Sequence, residues 1–231
     1  MSYIGTHKVG KLFFGEHKLG KAYFGEDLVY DSAGGAPAVL PYDAKIEYLQ
    51  SSGTQYIDTG INGQAVTRFI VSGYCYPNGM NNTQLLGGTE QGASTFFGAR
   101  VNNGAFWYCT NNGVGLGDPT HHSNIDAIIN STSSQTGILT DMVSGTSYDF
   151  TSFGSASWSF PNSNLLLFGG YSTRCSPNAR CYSLKIYTSS GLVRDFIPVR
   201  VGSTGYMYDR ISGTLHGNNG TGSFILGNDK Q

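Results

Sequence analysis

The side chains of this 231-residue chain that could do chemistry are its carboxylates, its paired histidines, its cysteines and two runs of aromatics beside amides. Glycoside hydrolysis needs two carboxylates facing one sugar, which on a strand means an alternating acidic ladder of the Glu-x-Asp-x-Glu type. Only four Glu occur, and Glu16 and Glu26 fall inside an N-terminal repeat. Glu47 and Glu90 remain, and neither belongs to such a ladder, so the chain reads as a binding or assembly protein and not as an enzyme. His121 and His122, with Asp118 and Asp126 nearby, are the densest set of metal-ligand types. Adjacent strand residues point to opposite faces, so both histidines would not reach one ion, and the segment reads as a polar loop. Cys175 and Cys181 flank Ser176-Pro-Asn-Ala-Arg180, read here as a turn that could bring them close enough to bridge. No CxxC spacing exists, and synthesis in a cytoplasm favours thiols at Cys75, Cys109, Cys175 and Cys181.

The aromatic runs point to a ligand. Phe106-Trp107-Tyr108 precedes Asn111-Asn112-Gly113, and Tyr74-Cys75-Tyr76 precedes Pro77-Asn78-Gly79 and Asn81-Asn82. A sugar stacks its apolar face on an aromatic ring while amides take its hydroxyls. Trp107, Tyr76, Asn81, Asn111 and Asn112 are therefore the candidate ligand-binding residues. Set against this, sandwich cores also need aromatics: in an alternating strand Phe106 and Tyr108 share the face opposite Trp107, and one of those faces is core.

Such residues need a scaffold, and the composition specifies one. Charged residues are only 13%, Gly numbers 33, and Asn, Ser and Thr recur throughout, which suits many short strands joined by tight turns. From Ile46 to Leu226 a dozen or more apolar-alternating runs lie between Ser-Gly, Asn-Gly and Gly-Gly turns. This predicts two packed antiparallel sheets of jelly-roll type. Ahead of them, Gly stands at 5, 10, 15, 20 and 25 and an apolar residue at 9, 14, 19, 24 and 29, with an underlying ten-residue unit. That period suits short strands turning at regular glycines. The division predicted is a glycine-rich β-repeat over 1–31, a Pro/Gly linker over 32–43 and the sandwich over 44–231. So small a repeat cannot bury Phe13, Phe14, Tyr23 and Phe24 by itself, which marks these four for docking or oligomerisation.

The net charge of −1, without a basic stripe, argues against nucleic acid, and no apolar run is long enough to enter a bilayer. The opening Met-Ser-Tyr-Ile-Gly lacks the pattern of an export signal.

The segment Glu47-Tyr-Leu-Gln-Ser-Ser-Gly-Thr-Gln-Tyr-Ile-Asp-Thr-Gly60 resembles the opening of LamG-like, concanavalin A-like sandwich domains, common in bacteriophage structural proteins and gut-bacterial surface proteins. Cys181-Tyr-Ser-Leu-Lys-Ile-Tyr187, Leu192-Val-Arg-Asp-Phe-Ile-Pro-Val199, Gly205-Tyr-Met-Tyr-Asp209 and Ser212-Gly-Thr214 are similar to the close of the same domains. The resemblance implies a concanavalin A-like jelly roll, a rim able to carry one Ca²⁺ on loop carbonyls and one or two Asp, and no catalytic motif. The decapeptides resemble short repeats at the front of phage tail and virion proteins. Together these imply a virion protein of tail fibre or baseplate. Its N-terminus would dock on other virion proteins, most plausibly as a homotrimer, and its sandwich would face a host-surface glycan. A head-fibre or capsid decoration protein has the same architecture. A glycan-binding module of a bacterial surface is the alternative from another class. Light scattering tests the assembly expectation: the full chain should be oligomeric and a chain lacking residues 1–41 monomeric, and two monomers would refute it.

Overall fold

The computed structural model describes short strands within residues 2–31 and, beyond them, residues 40–75, 83–89, 96–102, 105–109, 114–116, 123–129, 137–141, 147–149, 162–170 and 177–230. Side chains are described at 40–73, 85–88, 162–170 and 179–230. The chain divides into two compact units, Met1–Pro41 and Tyr42–Gln231.

In the first unit β1 (Ser2–Ile4) pairs with β2 (His7–Val9), β3 (Phe13–Phe14) with β4 (His17–Lys18), and β5 (Lys21–Phe24) with β6 (Asp27–Asp31), all antiparallel. The innermost pairs are Ile4 with His7, Phe14 with His17 and Phe24 with Asp27. The ten-residue sequence period is thus a hairpin period. Phe13, Phe14, Tyr23 and Phe24 lie on β3 and β5, and their side chains fall outside the described ones.

The second unit is all β. Its strands are β7 (Ala44–Lys45), β8 (Leu49–Ser52), β9 (Ile57–Asn62), β10 (Val66–Cys75), β11 (Thr83–Thr89), β12 (Phe96–Asn102), β13 (Ala105–Cys109), β14 (Val114–Leu116), β15 (Ser123–Ile129), β16 (Gly137–Asp141) and β17 (Ser147–Asp149). They continue with β18 (Asn164–Leu167), β19 (Pro177–Thr188), β20 (Gly191–Val201), β21 (Thr204–Asp209), β22 (Thr214–His216) and β23 (Ile225–Leu226). One 3-10 turn, Gly63–Ala65, is the only helical element among the described residues, so no described helix could cross a membrane.

The larger sheet runs β17-β16-β15-β10-β19-β20-β21-β22, with β8 and β23 added beside β19 and β7 beside β20. The smaller runs β14-β13-β12-β11-β18-β9. Neighbours far apart in sequence, such as β10 with β19 and β18 with β9, require crossovers between layers, which is jelly-roll wiring and not a meander.

Alternation drives the packing. Val66, Phe69 and Val71 of β10, with Ala179, Cys181, Leu184 and Ile186 of β19, turn inward from the large sheet. Ile57, Leu85, Leu86, Leu165 and Leu167 meet them from the small one. Burying each such side chain contributes about 1.5–3 kcal/mol.

Two glycines make room for buried leucines, Gly73 between the two sheets and Gly205 within the larger one. A Cβ on Gly73 would strike Leu85 Cδ2, and one on Gly205 would strike Leu49 Cδ2 and Leu226 Cδ2. At the end of β18, Phe168 adopts φ 62°, a left-handed conformation that costs roughly 1–2 kcal/mol for a residue with a side chain. Its N–H donates to the Leu85 carbonyl at 2.7 Å and its buried ring lies 5.4 Å from that of Phe224, so burial offsets the strain.

Lys185-Ile-Tyr187 and Leu192-Val-Arg194 form a hairpin that turns at Gly191: Thr188 pairs with Gly191, whose φ is +104°. The predicted turn Ser176–Arg180 does not form. Residues from Pro177 onward are the first part of a twelve-residue strand, in which Pro177 takes the leading position. Replacing Gly73 by Val should overpack the interface with Leu85 and destabilise the sandwich by roughly 1–3 kcal/mol, measured by chemical denaturation; an unchanged midpoint would contradict this packing.

Candidate functional site

On the outer face of the larger sheet, alternation places a compact group of rings and polar side chains. Leu49 and Cys181 are paired and buried, so Tyr48, Gln50, Arg180 and Tyr182 project to the opposite side. Gln50 pairs with Arg180 on one side and with Ile225 on the other, giving a ladder Ile225–Gln50–Arg180 across β23, β8 and β19. Ile225 is 47% exposed.

The group is held from several directions. Arg180 Nε donates to Gln50 Oε1 at 2.6 Å, and the guanidinium carbon sits 4.4 Å above the Tyr48 ring centroid. The Tyr48 and Tyr182 rings meet edge to face at 5.9 Å. Gly227 lies against Tyr48: its N–H donates to the Tyr48 carbonyl at 3.0 Å, and a Cβ there would approach Tyr48 Cδ1 to 2.9 Å. Cation–π contact and the Gln50 bond fix an otherwise mobile side chain on a rigid strand. The result is a partly exposed group of two tyrosine rings and a positive charge, with the Gln50 amide buried beneath it.

The other polar clusters serve the fold. Asp209, fully buried on the inward face with Met207, accepts from the N–H of Asp195 at 3.0 Å, the N–H of Ile211 at 3.1 Å and the Ser212 hydroxyl at 2.7 Å. Burial alone would raise its pKa. Those three donors and the charge of Arg194, 3.6 Å away, outweigh burial and hold the carboxyl below its usual range. Arg194 in turn donates to the Thr59 carbonyl at 3.0 Å, tying the large sheet to β9. Asp195 lies on the opposite face, where Arg210 meets its Oδ2 at 2.7 Å. Burial pushes the Asp195 carboxyl up, Lys185 pulls it down, and the Asp209 charge adds to the rise. Two neighbouring carboxylates on opposite sheet faces cannot flank one sugar.

At the edge beside β9, Asn218 and Asn219 accept from the backbone N–H groups of Tyr56 and Asp58 at 3.3 and 2.9 Å, and Asp58 accepts from Asn164 at 3.2 Å. His216 Nδ1 reaches the Asp58 carbonyl at 3.3 Å. These contacts seal an edge strand that would otherwise present unpaired backbone groups.

Trp107 is on β13, paired with Arg100 and Gly115, and its side chain lies outside the described ones. Tyr76, Asn81, Asn111 and Asn112 lie outside the described residues, as do Glu90, Asp118, His121 and His122. Asp126 is on β15, opposite Ile70. Glu47 accepts from the Asn228 side chain at 3.1 Å, a tie to the C-terminal segment. Among the described residues no three His, Cys, Asp or Glu side chains gather to hold a metal. Cys181 is a buried thiol donating to the Ser183 carbonyl at 3.5 Å, and Cys175 lies outside the described residues. The structure therefore brings together residues that sequence reasoning did not select. Their signal was the alternation Tyr48-Leu49-Gln50 and Arg180-Cys181-Tyr182, two polar–apolar–polar triplets.

No family model and no curated protein matches the chain. Among solved structures it is similar to a protein of Bacteroides ovatus described as a candidate carbohydrate-binding protein, with a TM-score of 0.42 and 10% identity. The match covers 79% of this chain and 60% of that one, so the chain spans less than two thirds of its length.

The Asp209 arrangement sets a pH dependence. A carboxyl held below its unfolded value, about 3.9, contributes stability that is present above that value and lost as pH falls through its folded value. Asp209→Asn should cost roughly 1–3 kcal/mol at pH 7, and its deficit against wild type should shrink below about pH 4. Denaturant titrations at pH 7 and 3 check this; a deficit independent of pH would remove the carboxylate from the account.

Proposed function

We propose that the sandwich binds saccharide through the outer platform of Tyr48, Gln50, Arg180 and Tyr182, and that the protein attaches its carrier to a glycan-bearing surface. The observation that carries this reading is the arrangement of two contacting tyrosines beside an arginine that a buried amide holds in place, at the pairing of β8 with β19. Carbon-bound hydrogens on one face of a sugar ring pack on an aromatic, and the ring hydroxyls at its rim need donors and acceptors within reach. Arg180 supplies donors and the tyrosine hydroxyls supply both, while the buried Gln50 holds Arg180 in place through its oxygen. Strands position these groups more rigidly than loops, so little order need be gained on binding.

The compact unit of residues 1–41, with its three hairpins, is the natural place for the anchor. The same binding activity serves either carrier that the sequence suggests, a virion or a bacterial surface.

The test is a glycan array probed with full-length wild type and Tyr48→Ala. Wild type should select a subset of glycans, and the variant should lose at least about tenfold in affinity for them, equivalent to about 1.4 kcal/mol. A thermal midpoint close to wild type would confirm that the variant is folded. Absence of any wild-type binding, or binding indifferent to Tyr48, would overturn the reading.

A further inference from the structure

We infer that the platform selects saccharides bearing a carboxylate, uronic acids above all, with Arg180 as the residue that reads the acid. The inference rests on the saccharide-binding reading and adds a ligand class to it.

Arg180 differs from the other arginines of the sandwich whose ion pairs are known. Arg194 stands by Asp209, Arg200 bonds Asp229 at 2.6 Å, and Arg210 bonds Asp195 at 2.7 Å. Among the described residues no carboxylate lies within ion-pair distance of Arg180. Its contacts are the Nε bond to Gln50 and the stack on Tyr48. A guanidinium is a planar fork, and with Nε and one face engaged its two terminal nitrogens keep their donors. Those nitrogens match the two oxygens of a carboxylate in bidentate fashion.

The surrounding atoms make the fork a preorganised receptor. Gln50 is 8% exposed, so its oxygen is a fixed acceptor, and Tyr48 is itself backed by Gly227 and met by Tyr182. In a uronic acid the carboxylate is attached directly to the sugar ring. A ring seated over Tyr182, two residues along β19 from Arg180 and on the same face, would bring that carboxylate toward the terminal nitrogens, because same-face neighbours on a strand are separated by about 6.6 Å, within reach of an acid carried on a sugar ring. A neutral sugar leaves the charge without a counter-group and gains only the stacking. A methyl ester fills the same space without the charge and isolates the term.

The experiment is isothermal titration of the full chain with trigalacturonic acid and with its fully methyl-esterified form, in 50 and 300 mM salt. Wild type should bind the acid at least tenfold more tightly than the ester, with the preference falling at the higher salt. In Arg180→Gln the acid-to-ester ratio should fall to about one, and in Arg180→Lys it should be intermediate, because the charge stays and the fork is lost. The readout is a ratio within each variant, so a general loss of affinity does not imitate it. Equal wild-type affinities for acid and ester, with sensitivity to Tyr48→Ala, would overturn the inference and leave saccharide binding standing. Binding of neither, beside array hits on neutral glycans, would also refute the acid preference alone. A preference for a sulfated galactan oligosaccharide over trigalacturonic acid would overturn the carboxylate assignment.

Discussion

The pairing register of β8 on β19 governs everything the outer surface presents. Leu49 opposite Cys181 and Gln50 opposite Arg180 are consequences of one alignment, and a strand repeats its faces every two residues. A slip by one residue would drive Gln50 toward the core and lift Leu49 into water. The alignment is specified from inside the sandwich. Leu49 and Leu226 occupy the space left by the missing side chain of Gly205. The platform is thus positioned by hydrophobic packing on the far side of its own strand.

A second constraint joins the layers where apolar packing gives out. The inward face of β20 and β21 carries Arg194 and Asp209 at the sandwich edge, where water is close and a purely apolar contact would be poorly covered. Arg194 reaches across to the Thr59 carbonyl, and Asp209 closes the turn after β21 through Ile211 and Ser212. Buried charges of this kind are tolerated because each is supplied with hydrogen bonds, and removing one partner strands the other. Beside them, His216 meets the Phe196 ring edge-on at 4.9 Å and touches β9, so the polar edge grades into the core without a gap.

Much of the fold was legible because alternation and turn glycine are local signals. The hairpin at Gly191, the decapeptide hairpins and the all-β class all follow from residues within a few positions of each other. The site was far less legible. Tyr48 and Tyr182 were visible only as strand residues, since nothing local announces that positions separated by more than a hundred residues will lie side by side. Arg180 was hidden by a stronger local cue: Ser, Pro and Asn in succession ordinarily mark a turn, yet Pro177 opens β19 and Ser52 of β8 pairs with it. The two-residue strand β7 was equally silent, because its pairing is set by β20 at the other end of the unit.

That short strand has a mechanical meaning. Residues 228–230 are laced to residues 45–47: Glu47 N–H donates to the Asn228 carbonyl at 2.9 Å, Lys230 N–H to the Lys45 carbonyl at 2.9 Å, and Ile46 bridges to Asp229. Tyr48 follows at once. Tension entering at Tyr42 and resisted at the platform therefore travels along a single short stretch of backbone, with strand partners on both flanks. The load would be met first by hydrogen bonds arranged side by side along that stretch, which must break together before Ile46 leaves the core.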